Sequence, residues 1–193
     1  MITTLDAVRA DIADRLSDAA TNRNAPMHCP AVVTGDVDAR TMVLRGFDPS
    51  DWTMRFHTDA RAPKVAVIER DPRVAVLCYD KPAKVQIRLR GTGHILRDDP
   101  IVDAAWAQGT NFARRCYLGE GPGAASVEPT SGLPAAFEGR EPGDDELVEA
   151  RAHFAVLAVA IEVMDWFTLA HTGHRRARFE RTGESWRGEW VSP

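Results

Sequence analysis

The chain has 193 residues, 44% of them hydrophobic and 27% charged, which suits one globular domain with a core of its own. Its net charge of −4, from 24 basic and 28 acidic side chains, excludes broad attraction to nucleic acid or an anionic membrane, so any anion site must be local. The most apolar run, Phe154 to Val163, falls well short of the ~20 residues a membrane-spanning helix needs. Cys29, Cys78 and Cys116 are scattered, which speaks against a disulfide framework and for a reducing cytoplasm.

Leu5, Val8, Ile12 and Leu16 recur at helical spacing, with Thr4 and Asp6 suited to a helix start. They predict an amphipathic surface helix over 4–20, and the stretch does not read as a signal peptide. Ala31 to Thr34 and Thr41 to Leu44 read as two strands around the turn Gly35 to Asp38, and Trp52 to Thr58 as a third. Lys64 to Glu69 reads as a short helix stopped before Asp71-Pro72, and Val74 to Tyr79 as a strand. From Ala83 to Leu96 the alternation is clear: Val85, Ile87 and Leu89 share one face, Gln86, Arg88 and Arg90 the other. A helix opens at Asp99-Pro100 and runs through Trp106, and a shorter one covers Asn111 to Tyr117.

Gly119 to Asp145 holds six glycines and four prolines without periodicity and is expected to be a long flexible loop. His153 to Phe167, Arg175 to Arg181 and Ser185 to Val191 then read as strands, with turns at Thr172-Gly173 and Thr182-Gly183. The expectation is one domain over 1–193, mainly β with three or four flanking helices. Its six to eight strands, joined by short turns, should form a mostly antiparallel, closed barrel. A dinucleotide-binding GxGxxG turn is absent, as are GxSxG, HExxH and P-loop motifs.

Arg61 and Lys64 follow Thr58 where a strand ends and a helix begins, so cations, a hydroxyl and a helix N-terminus converge as a phosphate requires; solvated turn charges are the alternative. Gln86 offers a donor and an acceptor to a polar ring edge, or a cross-strand pair. Arg40 and Arg45 stand an odd number of residues apart, so both reach one ligand only if a bulge or strand end intervenes. His171, His174, Arg175, Arg176 and Arg178 crowd positive charge into one hairpin, which needs an anion or carboxylates in answer. No cysteine or carboxylate stands at ligand spacing from the two histidines, so no metal is expected there.

Five motifs in order resemble the FMN-binding split-barrel proteins of the pyridoxamine 5'-phosphate oxidase group. They are Arg40/Arg45, Phe56-His57-Thr58-Asp59, Ala62-Pro63-Lys64, Asp71-Pro72-Arg73 and Gln86-Ile87-Arg88-Leu89-Arg90-Gly91, with Arg178-Phe179, Trp186 and Pro193 similar to the family's closing pattern. The resemblance implies an FMN-binding split β-barrel and a homodimer with the cofactor at the subunit interface. Its cofactor-binding residues would be Arg40, Arg45, His57, Thr58, Arg61, Lys64 and Gln86, with Trp166 and Arg178 reaching the flavin of the other subunit. Arg115, Tyr117, His174 and Arg176 are the positions for substrate. The true oxidase's Arg-x-His pair is His174-Arg175-Arg176 here, and Arg45 stands where Lys is usual. The resemblance therefore implies an oxidase-related oxidoreductase of small, phosphorylated or otherwise anionic substrates more than the oxidase itself. The alternative is a non-catalytic barrel that stores or senses flavin or haem, with His57, His94, His171 and His174 as the axial-ligand candidates.

Overall fold

The computed structural model describes residues 2–171 and 173–193; Thr172, half of one expected turn, lies outside them. Helix α1 (Leu5–Thr21) begins where the Thr4 hydroxyl accepts from the Ala7 N–H, and its Val8, Ile12, Leu16 and Ala19 stripe is buried. The stripe packs on β3 and fills one side of the barrel core, against Leu44, Met54, Phe56, Ile87, Leu89, Ile161 and Met164.

The strands are β1 (Ala31–Val33), β2 (Ala39–Thr41), β3 (Leu44–Asp48), β4 (Thr53–Asp59), β5 (Arg73–Asp80), β6 (Val85–Leu96), β7 (Phe154–Thr168), β8 (Arg175–Thr182) and β9 (Ser185–Val191). Every pairing among them is antiparallel. The order is β2-β1-β5-β6-β7-β4-β3, with β8 and β9 continuing from the far half of β7. Helix α2 (Pro63–Arg70) joins β4 to β5. Helices α3 (Pro100–Gln108), α4 (Asn111–Arg114) and α5 (Val148–Arg151) lie between β6 and β7.

The two ends of that order, β2 and β3, are neighbours in the chain, separated only by Met42 and Val43. Three Cα steps reach at most ~11 Å, so the sheet must curl until its edges meet. The result is a split barrel: curled, antiparallel, and closed at the seam by chain continuity. The expected strand Thr41–Leu44 is therefore corrected. Met42 N–H bonds to Pro30 O and Leu44 N–H to His28 O, which carries the β1–β2 register past the start of β1, while Leu44 also pairs with Phe56 of β4 and opens β3. This split and the extension of β3 to Asp48 bring the strand count among the described residues to nine, above the six to eight expected, and α5 raises the helices to five.

Near the middle of β7 the register with β6 slips between Arg90 and Gly91, bulging Glu162. A Cβ on Gly91 would lie 1.9 Å from the Ala160 carbonyl oxygen, so only glycine fits at the bulge. The bulge lets one half of β7 pair with β4 and the other with β8. Under α3 a second apolar cluster forms from Val102, Phe154 and Val156, with Trp106 and Tyr117 against it. It floors the site described next.

Candidate functional site

A cleft of about 500 Å³ opens where the seam, the C-terminal end of β4, the first turn of α2 and the α3–α4 segment meet. One end is cationic. Arg40 is aimed by the Asp38 carboxylate and by the Thr34 hydroxyl at 2.9 Å. Lys64 occupies the first turn of α2, whose Ala62 N-cap supplies no side-chain hydrogen bond, and among the described residues it has no ion-pair partner. Burial, and then the charge of Arg40, hold its ammonium below the ordinary lysine range, while Asp59 acts in the opposite direction. Thr58, buried, sits beside them with its hydroxyl on the Asp59 carbonyl at 3.3 Å.

The other end is aromatic. Trp106, Tyr117 and Phe154 meet at centroid distances of 5.1–5.9 Å, and the His57 ring stands edge-on to Phe154 at 4.9 Å. Burial, followed by the nearby Arg45 charge, lowers the His57 pKa to about 4, so its imidazole is neutral at neutral pH. Burial also raises the Tyr117 phenol above its usual range, so the hydroxyl stays protonated. Arg45, exposed at the rim, has no ion pair among the described residues.

The structure thus brings Arg40, Arg45, His57, Thr58, Lys64 and Tyr117 to one cleft. The parity problem of Arg40 and Arg45 is resolved by two irregularities between them, the break at Met42-Val43 and a register shift between Leu44 and Gly46. Arg61 and Arg115, expected to meet ligand, face other partners. Arg61 forks onto Asp59 through Nε at 3.0 Å and Nη2 at 2.7 Å, and its Nη1 donates to Gly119 O at 3.0 Å. Arg115 donates to the carbonyls of Phe137 and Arg140 and stacks over Phe112.

The remaining candidates lie away from the cleft. Gln86, half-buried, sits between Tyr79 and Phe167 on the sheet, and His174 accepts from the Ala170 N–H beside the Phe167 ring. Arg176 forks onto Asp165, and Arg178 bonds to Glu180 at 2.5 Å. Carboxylates thus answer Arg176 and Arg178 of the C-terminal hairpin, while Arg175 donates to the Ile2 carbonyl. Trp166 is 2% exposed, with its indole N–H donating to Asp11 of α1 at 2.9 Å.

Trp106, Phe154 and Pro122 line the cleft without having been expected there. Trp106 is in the last turn of α3, and Phe154 arrives because β7 pairs antiparallel with β4, placing it opposite Asp59. Neither carries a local sequence signal of a site.

A phosphate fits the cationic end: two cations, a hydroxyl and a helix N-terminus without a side-chain cap share one wall. Residues 14–97 match the family profile described as "Pyridoxamine 5'-phosphate oxidase, FMN-binding domain". A stretch of 69 residues is 38% identical to pyridoxine/pyridoxamine 5'-phosphate oxidase of Rubrobacter xylanophilus, covering 36% of this chain and 31% of that protein. The chain thus matches about a third of the curated relative's length.

Among solved structures, a pyridoxamine 5'-phosphate oxidase-related, FMN-binding protein from Nostoc punctiforme superposes with a TM-score of 0.78 at 23% identity, over 99% of this chain and 100% of that one. PhzG from Burkholderia lata, solved with tetrahydrophenazine-1-carboxylic acid, gives 0.72 at 17% identity over 95% of this chain and 91% of its own. Both likenesses concern the fold. Over residues 14–97 the chain is thus similar in sequence to the FMN-binding domain of the pyridoxamine 5'-phosphate oxidase family, and along its length it shares the split-barrel fold of FMN-binding proteins related to that oxidase.

Proposed function

We propose that the cleft holds FMN by its phosphate on Arg40, Lys64 and Thr58, and that the protein is an FMN-dependent oxidoreductase of a small, anionic substrate. The observation that carries the reading is the pairing of Lys64 with Arg40 across one wall of the cleft. The Arg40 charge lowers the Lys64 ammonium, Arg40 is answered by Asp38, and Asp59, the one carboxylate lining the cleft, is committed to Arg61. A bound phosphate relieves that repulsion.

FMN, when bound, supplies a hydride acceptor or donor. The chain's own residues position and select. Arg45 at the rim offers a charge to an anionic substrate. Neutral His57 and protonated Tyr117 offer hydrogen bonds, and Trp106 and Phe154 keep that end dry. The phosphate end falls within the matched span 14–97 and the α3–α4 wall outside it, which supports a family cofactor with a substrate of this protein's own.

The reading includes a cytoplasmic homodimer. Arg176 and Arg178 line a different concavity with Leu77, Arg88 and Asp165, so a second copy is needed to bring them to the cofactor. The alternative, a flavin- or haem-binding barrel without turnover, is supported by the lack of a free carboxylate in the cleft, with His57 as its axial-ligand candidate.

The test is the visible spectrum of the purified protein and identification of what denaturation releases. Flavin bands with FMN released uphold the proposal, and a Soret band turns it to the haem reading. A colourless protein that refuses added FMN ends both.

A further inference from the structure

The segment from Gly119 to Asp145, glycine- and proline-rich and without periodicity, is fastened at both ends. Near its start, Arg61 Nη1 holds the Gly119 carbonyl and the Glu120 N–H donates to Gly132 O at 2.9 Å. Further on, Arg115 Nη1 holds the Phe137 carbonyl at 2.9 Å and the Arg140 carbonyl at 3.3 Å. Phe112 N–H bonds to Glu141 and the Asn111 amide to Asp144. Between the fastenings, residues 122–131 are exposed.

The first fastened end lies against the cleft. Gly121 approaches the Arg61 side chain, Gly123 approaches Pro63 at the head of α2, and Pro122 between them lines the cleft. Two guanidiniums expected to meet ligand hold backbone carbonyls of this segment instead. One fastening is incomplete: Arg115 Nε is buried without a partner, so release returns a donor to water and offsets part of its cost.

We infer that residues 119–145 form a strap over the phosphate end of the cleft, held shut by Arg61 and Arg115, whose opening gates entry and exit of the ligand. The ligand in this statement, FMN, rests on the function proposed above. A gate differs from a contact in its kinetics. Releasing a gate speeds both association and dissociation and leaves affinity nearly unchanged, whereas losing a contact raises dissociation alone.

The experiment uses the full chain with Arg115→Gln and, separately, Gly119→Ala. The second variant leaves every cation in place but puts a methyl 2.3 Å from the Gly132 carbonyl oxygen, wedging the strap from its root. Association and dissociation rates of FMN are followed by flavin fluorescence. In the flavin-free proteins, cleavage by trypsin after Arg140 and by a glutamyl protease after Glu120 is timed.

Expected are rises of roughly tenfold in both rate constants, the size of one lost charge-assisted bond, and faster cleavage at these sites. Faster dissociation with unchanged association overturns the gate, making Arg115 a ligand contact. Unchanged cleavage in both variants overturns the strap. A wild type that takes up no FMN overturns the ligand assignment, and the protease rates, which need no ligand, then uphold or overturn the clamp by themselves.

Discussion

Lys64 and Arg40 each gain a charge-assisted bond when a phosphate arrives, and such bonds are worth about 1.5–3 kcal/mol. Lys64→Ala or Arg40→Ala should therefore weaken FMN binding tenfold or more in a fluorescence titration, and unchanged affinity in both would remove the phosphate site. His57 makes a separate prediction. Its folded pKa of about 4 lies below the ordinary 6.5, so between those values the unfolded chain binds more protons and stability falls as pH falls. The slope from this group is at most about 1.4 kcal/mol per pH unit, reduced by the solvent it still meets. His57→Phe should flatten the difference in denaturation midpoint between pH 6.5 and 4 relative to wild type.

At this scale the sequence named most of the cationic end of the cleft, because Arg40, Thr58 and Lys64 sit at element ends that local rules locate. It did not show that Arg61 and Arg115 hold backbone carbonyls, since a free and a committed guanidinium look alike until the carbonyls of Gly119 and Phe137 are placed.

The strands and helices set tolerances of their own. β6 and β7 can slip past one another at Gly91 only because no side chain blocks the Ala160 carbonyl. Gly91→Ala should cost about 1–3 kcal/mol, a fall of roughly 2–12 °C in melting temperature for a chain of this size, read by calorimetry. Helix α1 is tied to the barrel by Trp166 on Asp11, and by Arg15 on both Asp11 and Asp80. Trp166→Phe removes the N–H and part of the packing, so stability should drop by about 1–3 kcal/mol while FMN affinity holds. A variant of full stability that loses FMN would tie Trp166 to the cofactor site. Helix α1 and the alternating face of β6 were legible because periodicity reports burial directly. The strand drawn through Thr41–Leu44 was not, because its break serves the closure of the sheet and leaves no mark in local propensity.

For the molecule as a whole, the exposed face of β5 and β6 is the open question. Leu77 and Tyr79 are 41% and 44% exposed there, in a row with Arg88 and Arg90 that no element among the described residues covers. A second copy seated on this face predicts twice the chain mass in sedimentation. Leu77→Asp combined with Tyr79→Asp should halve the mass and lower flavin occupancy together. A wild type that runs as a monomer with full flavin would end the dimer proposal.

The sequence by itself determined the antiparallel β class, the helix at the start, the order of strands along the chain and the cations at one end of the cleft. Alternation, caps and turn residues are local, and each can be read within a few positions. Only the tertiary structure decided that Arg40 and Arg45 share a cleft, that Phe154 and Trp106 wall it, and that Arg61 and Arg115 hold a strap. Those facts depend on which strands pair and where a register slips, and such pairings join residues far apart in the chain.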